Sequence, residues 1–206
     1  LNENIQTLDS LAGISATASL EAGGVDGETD IILEIEDQKK ITGSFTADTH
    51  GSRSSGRGRA STLININSAL HMGETITFQN VYTYGSNYYS LGVSGPIGYK
   101  GVTASLRGSV MDYNLGTPLK STEPQGDSKE ISFSLNFPTI SYNNLTASFS
   151  FGASFNEYLN RTSSGVTSEK TNLKSNLDIN LGLVDNFLGG GLNTLSLSFA
   201  HGEIDL

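Results

Sequence analysis

Cysteine is absent from these 206 residues, which excludes a disulfide framework and a thiolate metal site. Histidine is scarce, and His50, His71 and His201 lie far apart in sequence. A zinc centre needs converging ligands, usually with a close pair, so none is expected. Charge is thin at 16% of residues, well below the roughly 25% usual in soluble domains. The balance is acidic, at -9, which leaves a general nucleic-acid-binding role without electrostatic support. No apolar run approaches the ~18 residues of a spanning helix. Gly51-Ser52-Arg53-Ser54-Ser55-Gly56-Arg57 is rich in glycine and serine but has no Gly-Lys-Ser/Thr ending and no following helix, so it reads as a hairpin tip rather than a phosphate loop. Neither catalytic residues nor a cofactor is expected. A basic, apolar leader at Leu1 is missing as well, and the expectation is that the chain is an internal fragment of an exported protein.

What the chain has is alternation. Leu145, Ala147, Phe149, Phe151, Ala153 and Phe155 fall on one parity, and Thr146, Ser148, Ser150, Gly152 and Ser154 on the other. Successive strand side chains point to opposite faces, so this segment has one greasy wall and one wall of small neutral polar groups. A soluble sandwich usually carries Lys and Glu on its wet side; here that side is nearly uncharged. About ten residues is the length a tilted strand needs to cross a bilayer. The pattern recurs around Ile131–Phe137, Leu177–Leu183, Leu195–Phe199, Tyr89–Val93 and Val102–Val110. The fold class expected is therefore mainly β, an antiparallel transmembrane barrel with lipid outside and a water-filled lumen inside.

Nine strands are expected, near 41–49, 57–66, 74–85, 88–95, 101–113, 128–138, 144–158, 170–183 and 192–202. The connections near Asn114–Asp127 and Leu159–Ser168 read as long polar loops, and those at Ser68–Gly73, Pro96–Gly101, Thr139–Asn143 and Val184–Gly191 as short turns. Short turns on one side are the periplasmic arrangement. Tyr82, Tyr84, Tyr88, Tyr89, Tyr113 and Tyr158 cluster near the outer strand ends, as an aromatic girdle would. Bacterial barrels have even strand numbers, so further strands are expected beyond Leu206.

Residues 1–39 read differently. Leu1, Ile5, Leu8 and Ala12 follow helical spacing, with Gly13 as a stop. Ile14–Leu20 alternates, a glycine-rich turn follows, and Thr29–Asp37 places Ile31, Leu33 and Ile35 opposite Glu34 and Glu36. That charged face suits a soluble unit.

Among charged groups, parity aims Arg107 into the lumen amid Thr103, Ser105 and Ser109, with Asp178 as its acidic counterpart. Such charges can tune pore selectivity or hold a plugging element. Arg53, Arg57 and Arg59 crowd one loop and its descending strand, either as solvated charges or as contacts to lipopolysaccharide or a passing substrate.

Asp48-Thr49-His50-Gly51-Ser52-Arg53-Ser54-Ser55-Gly56-Arg57, Asn67-Ser68-Ala69-Leu70-His71-Met72-Gly73-Glu74 and Met111-Asp112-Tyr113-Asn114-Leu115-Gly116 together resemble motifs of the two-partner secretion transporters, the haemolysin-activator proteins of the outer-membrane assembly superfamily. Asn67-Ser68 stands where that family often has Asn-Pro. Its Arg-Gly motif on a lumen-entering loop does not occur here, since Arg107-Gly108 sits inside a strand. The resemblance implies that residues 1–39 end a POTRA (polypeptide-transport-associated) domain. It also implies that 41–206 begin a barrel of about 16 strands. It makes Ile14, Ser15, Ala16, Thr17, Ala18 and Ser19 an exposed edge strand, beside an Asn2–Leu11 helix, that could bind an unfolded exoprotein by strand addition. The partners implied are a large, repetitive, β-helical exoprotein with an N-terminal secretion domain, and the outer-membrane lipid and lipopolysaccharide; the N-terminal part would lie in the periplasm. Two other functions compete: a barrel-assembly factor of the same architecture, and a secreted β-solenoid adhesin. The solenoid would need a near-constant repeat, which the irregular strand spacing does not supply.

Overall fold

A computed structural model describes residues 8, 11–25, 27–98, 100–116, 123–142, 144–185 and 189–205. It contains two antiparallel sheets. The first is a hairpin of β1 (Ile14–Ala22) and β2 (Thr29–Asp37). Its register puts Ala16 opposite Ile35, Ala18 opposite Leu33 and Leu20 opposite Ile31 on one face, and Thr17 opposite Glu34 on the other. The helix expected over Asn2–Leu11 falls outside the described residues save Leu8 and Leu11, where the Leu11 amide donates to the Leu8 carbonyl at 3.1 Å.

The second sheet holds β3 (Ile41–Asp48), β4 (Arg59–Asn67), β5 (Thr75–Thr83), β6 (Ser86–Ile97), β7 (Val102–Asn114), β8 (Gln125–Tyr142), β9 (Leu145–Thr162), β10 (Gly165–Asp185) and β11 (Gly191–Asp205). Each strand pairs only with its sequence neighbours, so the sheet is a nine-stranded meander. The expected strand number is met. So is the antiparallel pairing, which a solenoid of stacked parallel strands would not give.

Cross-strand partners share a face, so the registers show whether the greasy parities meet. They do. Ile64, Phe78, Leu91, Gly108, Ile131, Phe155 and Leu173 form one continuous row across β4 to β10. Leu135, Phe151, Leu177 and Phe199 form another, and Phe137, Phe149, Ile179 and Leu197 a third. Among the described residues no layer covers this face. Leu91 is 60% exposed and Phe199 59%, and the only buried hydrophobic residue among those described is Ala16, in the hairpin. A contiguous apolar face of this extent marks a surface meant to meet something apolar.

The strands are longer than alternation suggests. β10 has 21 residues against the ~9–11 that a tilted strand needs to cross a bilayer. The segment Leu159–Ser168, expected as a long loop, is mostly ladder: β9 runs to Thr162, β10 starts at Gly165, and only Ser163-Ser164 turn. On the greasy parity above Phe155 and Ile131 come Glu157, Arg161, Lys129 and Asp127, joined in ion pairs Lys129–Glu157 at 3.9 Å and Arg161–Asp127 at 3.2 Å. The apolar band thus stops at a defined row and a charged ladder continues past it. The turn expected at Thr139 is displaced too. Pro138, which lacks an N–H, sits at a register irregularity between Phe137 and Ile140, after which β8 resumes to Tyr142.

Candidate functional site

The face opposite the apolar band carries the candidate site. Arg107 lies directly between Gly92 and Ser132, in a row that runs Asn65, Thr77, Gly92, Arg107, Ser132, Ser154, Lys174. The Arg107 side chain runs beside Gly92, where a built Cβ would stand in ordinary contact, 3.7 Å from its Nε. Arg107 is exposed and makes no ion pair or side-chain hydrogen bond among the described residues.

Asp178 lies on the same wall, three strands away. Its carboxylate accepts from Ser198 on β11, from Asn176 on its own strand at 2.6 Å, and from Ser150 on β9 at 3.5 Å. It stitches three strands together. The two lumen candidates therefore share a face but differ in kind: Asp178 is engaged by polar neighbours, whereas Arg107 is an unopposed charge. Three further wall charges escaped the sequence reading, Lys174 in the Arg107 row, Lys170 opposite Tyr158 and Glu130 opposite Ser109. Parity alone would have found all three, since each sits in an expected strand.

Of the three loop arginines, Arg59 is structural. Its Nε and Nη2 donate to the Asp48 Oδ2 at 3.2 and 2.9 Å across the β3–β4 pair. Arg53 and Arg57 remain exposed. Their loop is no free tip: the Gly85 amide donates to the Ser55 carbonyl at 2.7 Å and the Gly116 amide to the Ser54 carbonyl at 2.9 Å. Three connections at this end are thereby laced together through their backbones. Gly56 adopts φ 103 and approaches Tyr84 so closely that a Cβ there would sit 2.8 Å from the Tyr84 Cβ. Of the six expected girdle tyrosines, only Tyr82 and Tyr89 lie on the apolar parity within strands. Tyr88, Tyr113 and Tyr158 lie on the polar one, and Tyr84 is in a turn.

At the opposite end, the β4–β5 turn is built around Glu74. Its carboxylate accepts from the Leu70 amide at 2.5 Å and the Met72 amide at 3.0 Å. These bonds, the Leu70 amide foremost, hold the Glu74 carboxyl below the ordinary glutamate range. Ser68 (φ 50), His71 (φ 60) and Gly73 (φ 73) all adopt the left-handed region that this tight path requires. The turn also grips the N-terminal segment: the Ala12 amide donates to the Gly73 carbonyl at 3.2 Å, and the Asn67 side chain donates to the Lys39 carbonyl at 3.1 Å.

In the hairpin, β1 pairs with β2 along one edge, and no other strand pairs with it among the described residues. Within the Ile14–Ser19 stretch Ser15 and Ala16 already have interaction partners.

A two-faced antiparallel meander, greasy and uncovered on one side and neutral-polar on the other, defines the class: a segment of barrel wall. The chain belongs to the haemolysin secretion/activation protein family ShlB/FhaC/HecB, whose family model matches residues 27–203. It is 26% identical over 205 residues to the heme/hemopexin transporter protein HuxB of Haemophilus influenzae strain 86-028NP, covering 96% of this chain and 35% of that protein. The chain thus spans about a third of the length of that relative. Among solved structures it is similar to CdiB from Escherichia coli, with TM-score 0.77 and 18% identity over 97% of this chain and 38% of the other. BamA from Haemophilus ducreyi, lacking POTRA domains 1–3, matches at TM-score 0.53 and 14% identity over 97% of this chain and 44% of the other, which places the fold in the same architectural group.

Proposed function

We propose that the chain is part of an outer-membrane, protein-conducting channel of two-partner secretion, which takes an unfolded exoprotein from the periplasm and passes it to the cell surface. The observation that carries this reading is the uncovered apolar face of the nine-stranded sheet, backed by a nearly neutral polar wall, in a chain of the haemolysin secretion/activation family. The apolar face meets lipid and the Arg107 wall lines the lumen. Strands beyond Leu206 close the barrel, at about 16 in all. Residues 1–39 belong to a POTRA domain on the periplasmic side. The exported partner is a large secreted protein.

Capture uses the open edge of β1. Main-chain groups at Thr17–Ser19 offer backbone hydrogen bonds to an extended segment, which gives affinity tolerant of sequence. Successive N–H groups of a strand point to alternate sides, so of Thr17→Pro and Ala18→Pro one removes a bond to β2 and the other removes an outward donor. The outward variant should keep the hairpin folded yet lose binding of the exoprotein's N-terminal segment and its secretion, with Thr17→Ala as control. If both variants fold, bind and secrete normally, capture is elsewhere. If secretion of the genetically linked exoprotein survives deletion of the whole channel, the export function itself is wrong.

A further inference from the structure

Glu74 stands one pleat below Ile76 on the greasy parity of β5, where a carboxylate facing lipid would be costly. The chain resolves this by folding the β4–β5 turn back over it. Glu74 is only 4% exposed, its oxygens are taken by the Leu70 and Met72 amides, and the Ser68 amide donates to its carbonyl at 2.6 Å. Gly95 makes this possible. A Cβ there would lie 2.9 Å from the Glu74 Cβ, so a larger residue would push the carboxylate out of its cover.

The consequence is on the outside of the fold. Leu70 and Met72 are 61% and 64% exposed and border the apolar band beside Val93 and Leu106. With Val93, Leu106 and Phe133 they bound a groove of about 230 Å³ that opens from the band's lower margin. Val93, Leu106 and Phe133 are themselves one row of that band. The groove is therefore continuous with the lipid-facing surface.

We infer that the β4–β5 turn is a membrane anchor: Leu70 and Met72 sit among the acyl chains of the periplasmic leaflet, and the groove behind them holds an acyl chain. This rests on the apolar face being the lipid face. The same turn bonds Ala12 through Gly73, and Gly13 packs so closely on Ser68 that an added Cβ would be 3.0 Å from the Ser68 Cβ. A turn seated in lipid thereby fixes the height of the β1–β2 hairpin at the membrane surface.

The test uses the lack of cysteine in this chain. Met72→Cys, Phe133→Cys and Val25→Cys are made singly in the full-length protein, with any cysteine elsewhere replaced, spin-labelled and reconstituted in phosphatidylcholine vesicles. Collision with oxygen and with a water-soluble nickel complex is then measured. The Met72 label should favour oxygen over nickel as the Phe133 label does, and the hairpin-tip Val25 label should favour nickel. Adding Glu74→Ala should shift the Met72 label toward the Val25 pattern. A Met72 label that is nickel-accessible, or shielded from both probes, while Phe133 stays lipid-like overturns the anchor alone. A Phe133 label in water overturns the lipid-face reading and the anchor with it.

Discussion

Tyr113 on β7 donates its hydroxyl to the Asn160 Oδ1 on β9 at 2.7 Å, reaching clean across the intervening strand β8. It can do so because Gly126 lies directly between them in the register. A Cβ on Gly126 would meet the Tyr113 ring at 2.8 Å and the Leu159 carbonyl oxygen at 2.4 Å. The ring covers a glycine in the sheet, and the glycine admits the ring. Gly126→Ala should therefore destabilise the refolded barrel by about 1–3 kcal/mol, through overpacking against backbone that cannot yield. Tyr113→Phe, which loses only the hydrogen bond, should cost about 1 kcal/mol. Denaturant unfolding in detergent micelles separates the two.

Phe151 pairs with Leu135 and Leu177 in the middle of the apolar band. Placing arginine there puts a charge near the bilayer midplane. Phe151→Arg should destabilise the protein by ~2–4 kcal/mol on refolding into lipid, while Ser150→Arg on the adjacent, polar face should cost much less. Similar losses for the two would contradict the assignment of faces.

Arg107 has no carboxylate partner on its wall among the described residues. Arg107→Glu in the full-length channel should raise cation preference in planar bilayers and alter conductance. Asp178→Asn should act mainly on stability, because its oxygens already hold Ser198, Asn176 and Ser150. Unchanged selectivity in an ion-selective channel after Arg107→Glu would make Arg107 a spectator.

Glu74 provides a pH signature. Its folded pKa is depressed by the Leu70 amide first, then by its own amide and that of Met72, against the opposing effect of burial. A depressed carboxyl pKa contributes stability above the unfolded value, about 4.3, and loses it as pH falls through the lower folded value. Hydrogen exchange at the Leu70 and Met72 amides should accelerate as pH is lowered through that window, beyond the intrinsic trend. In Glu74→Gln this extra acceleration should vanish.

How far the sequence was legible follows from where alternation holds. Between Leu145 and Phe155 the parity is clean, and the register places every one of those residues on the expected face. Beyond Phe155 the greasy parity is broken by Glu157 and Arg161 on either side of Leu159, while Asn156, Tyr158 and Asn160 hold the other face, and the ladder continues by backbone bonds that no side-chain period reports. The last residues of β9, Leu159–Thr162, and the first of β10, Gly165–Ser168, therefore read as a loop. The turn at Glu74 was recognised as a turn, but its carboxylate clasp was not, although a glutamate on the greasy parity next to Ile76 is a visible anomaly. The three-strand separation of Arg107 from Asp178 was legible in the strand order, but the hydrogen bonds that engage Asp178 and leave Arg107 unopposed were not.

The central claim is that one sheet face meets lipid and the other an aqueous lumen. The most direct measurement is a cysteine scan of Leu145–Phe155 in the full-length protein, otherwise free of cysteine, in intact outer membranes with a membrane-impermeant thiol reagent. The account predicts a strict two-residue period: Thr146, Ser148, Ser150 and Ser154 positions label, and Ala147, Phe149, Phe151 and Ala153 positions do not. Labelling without a period, or with the two sets exchanged, would contradict it.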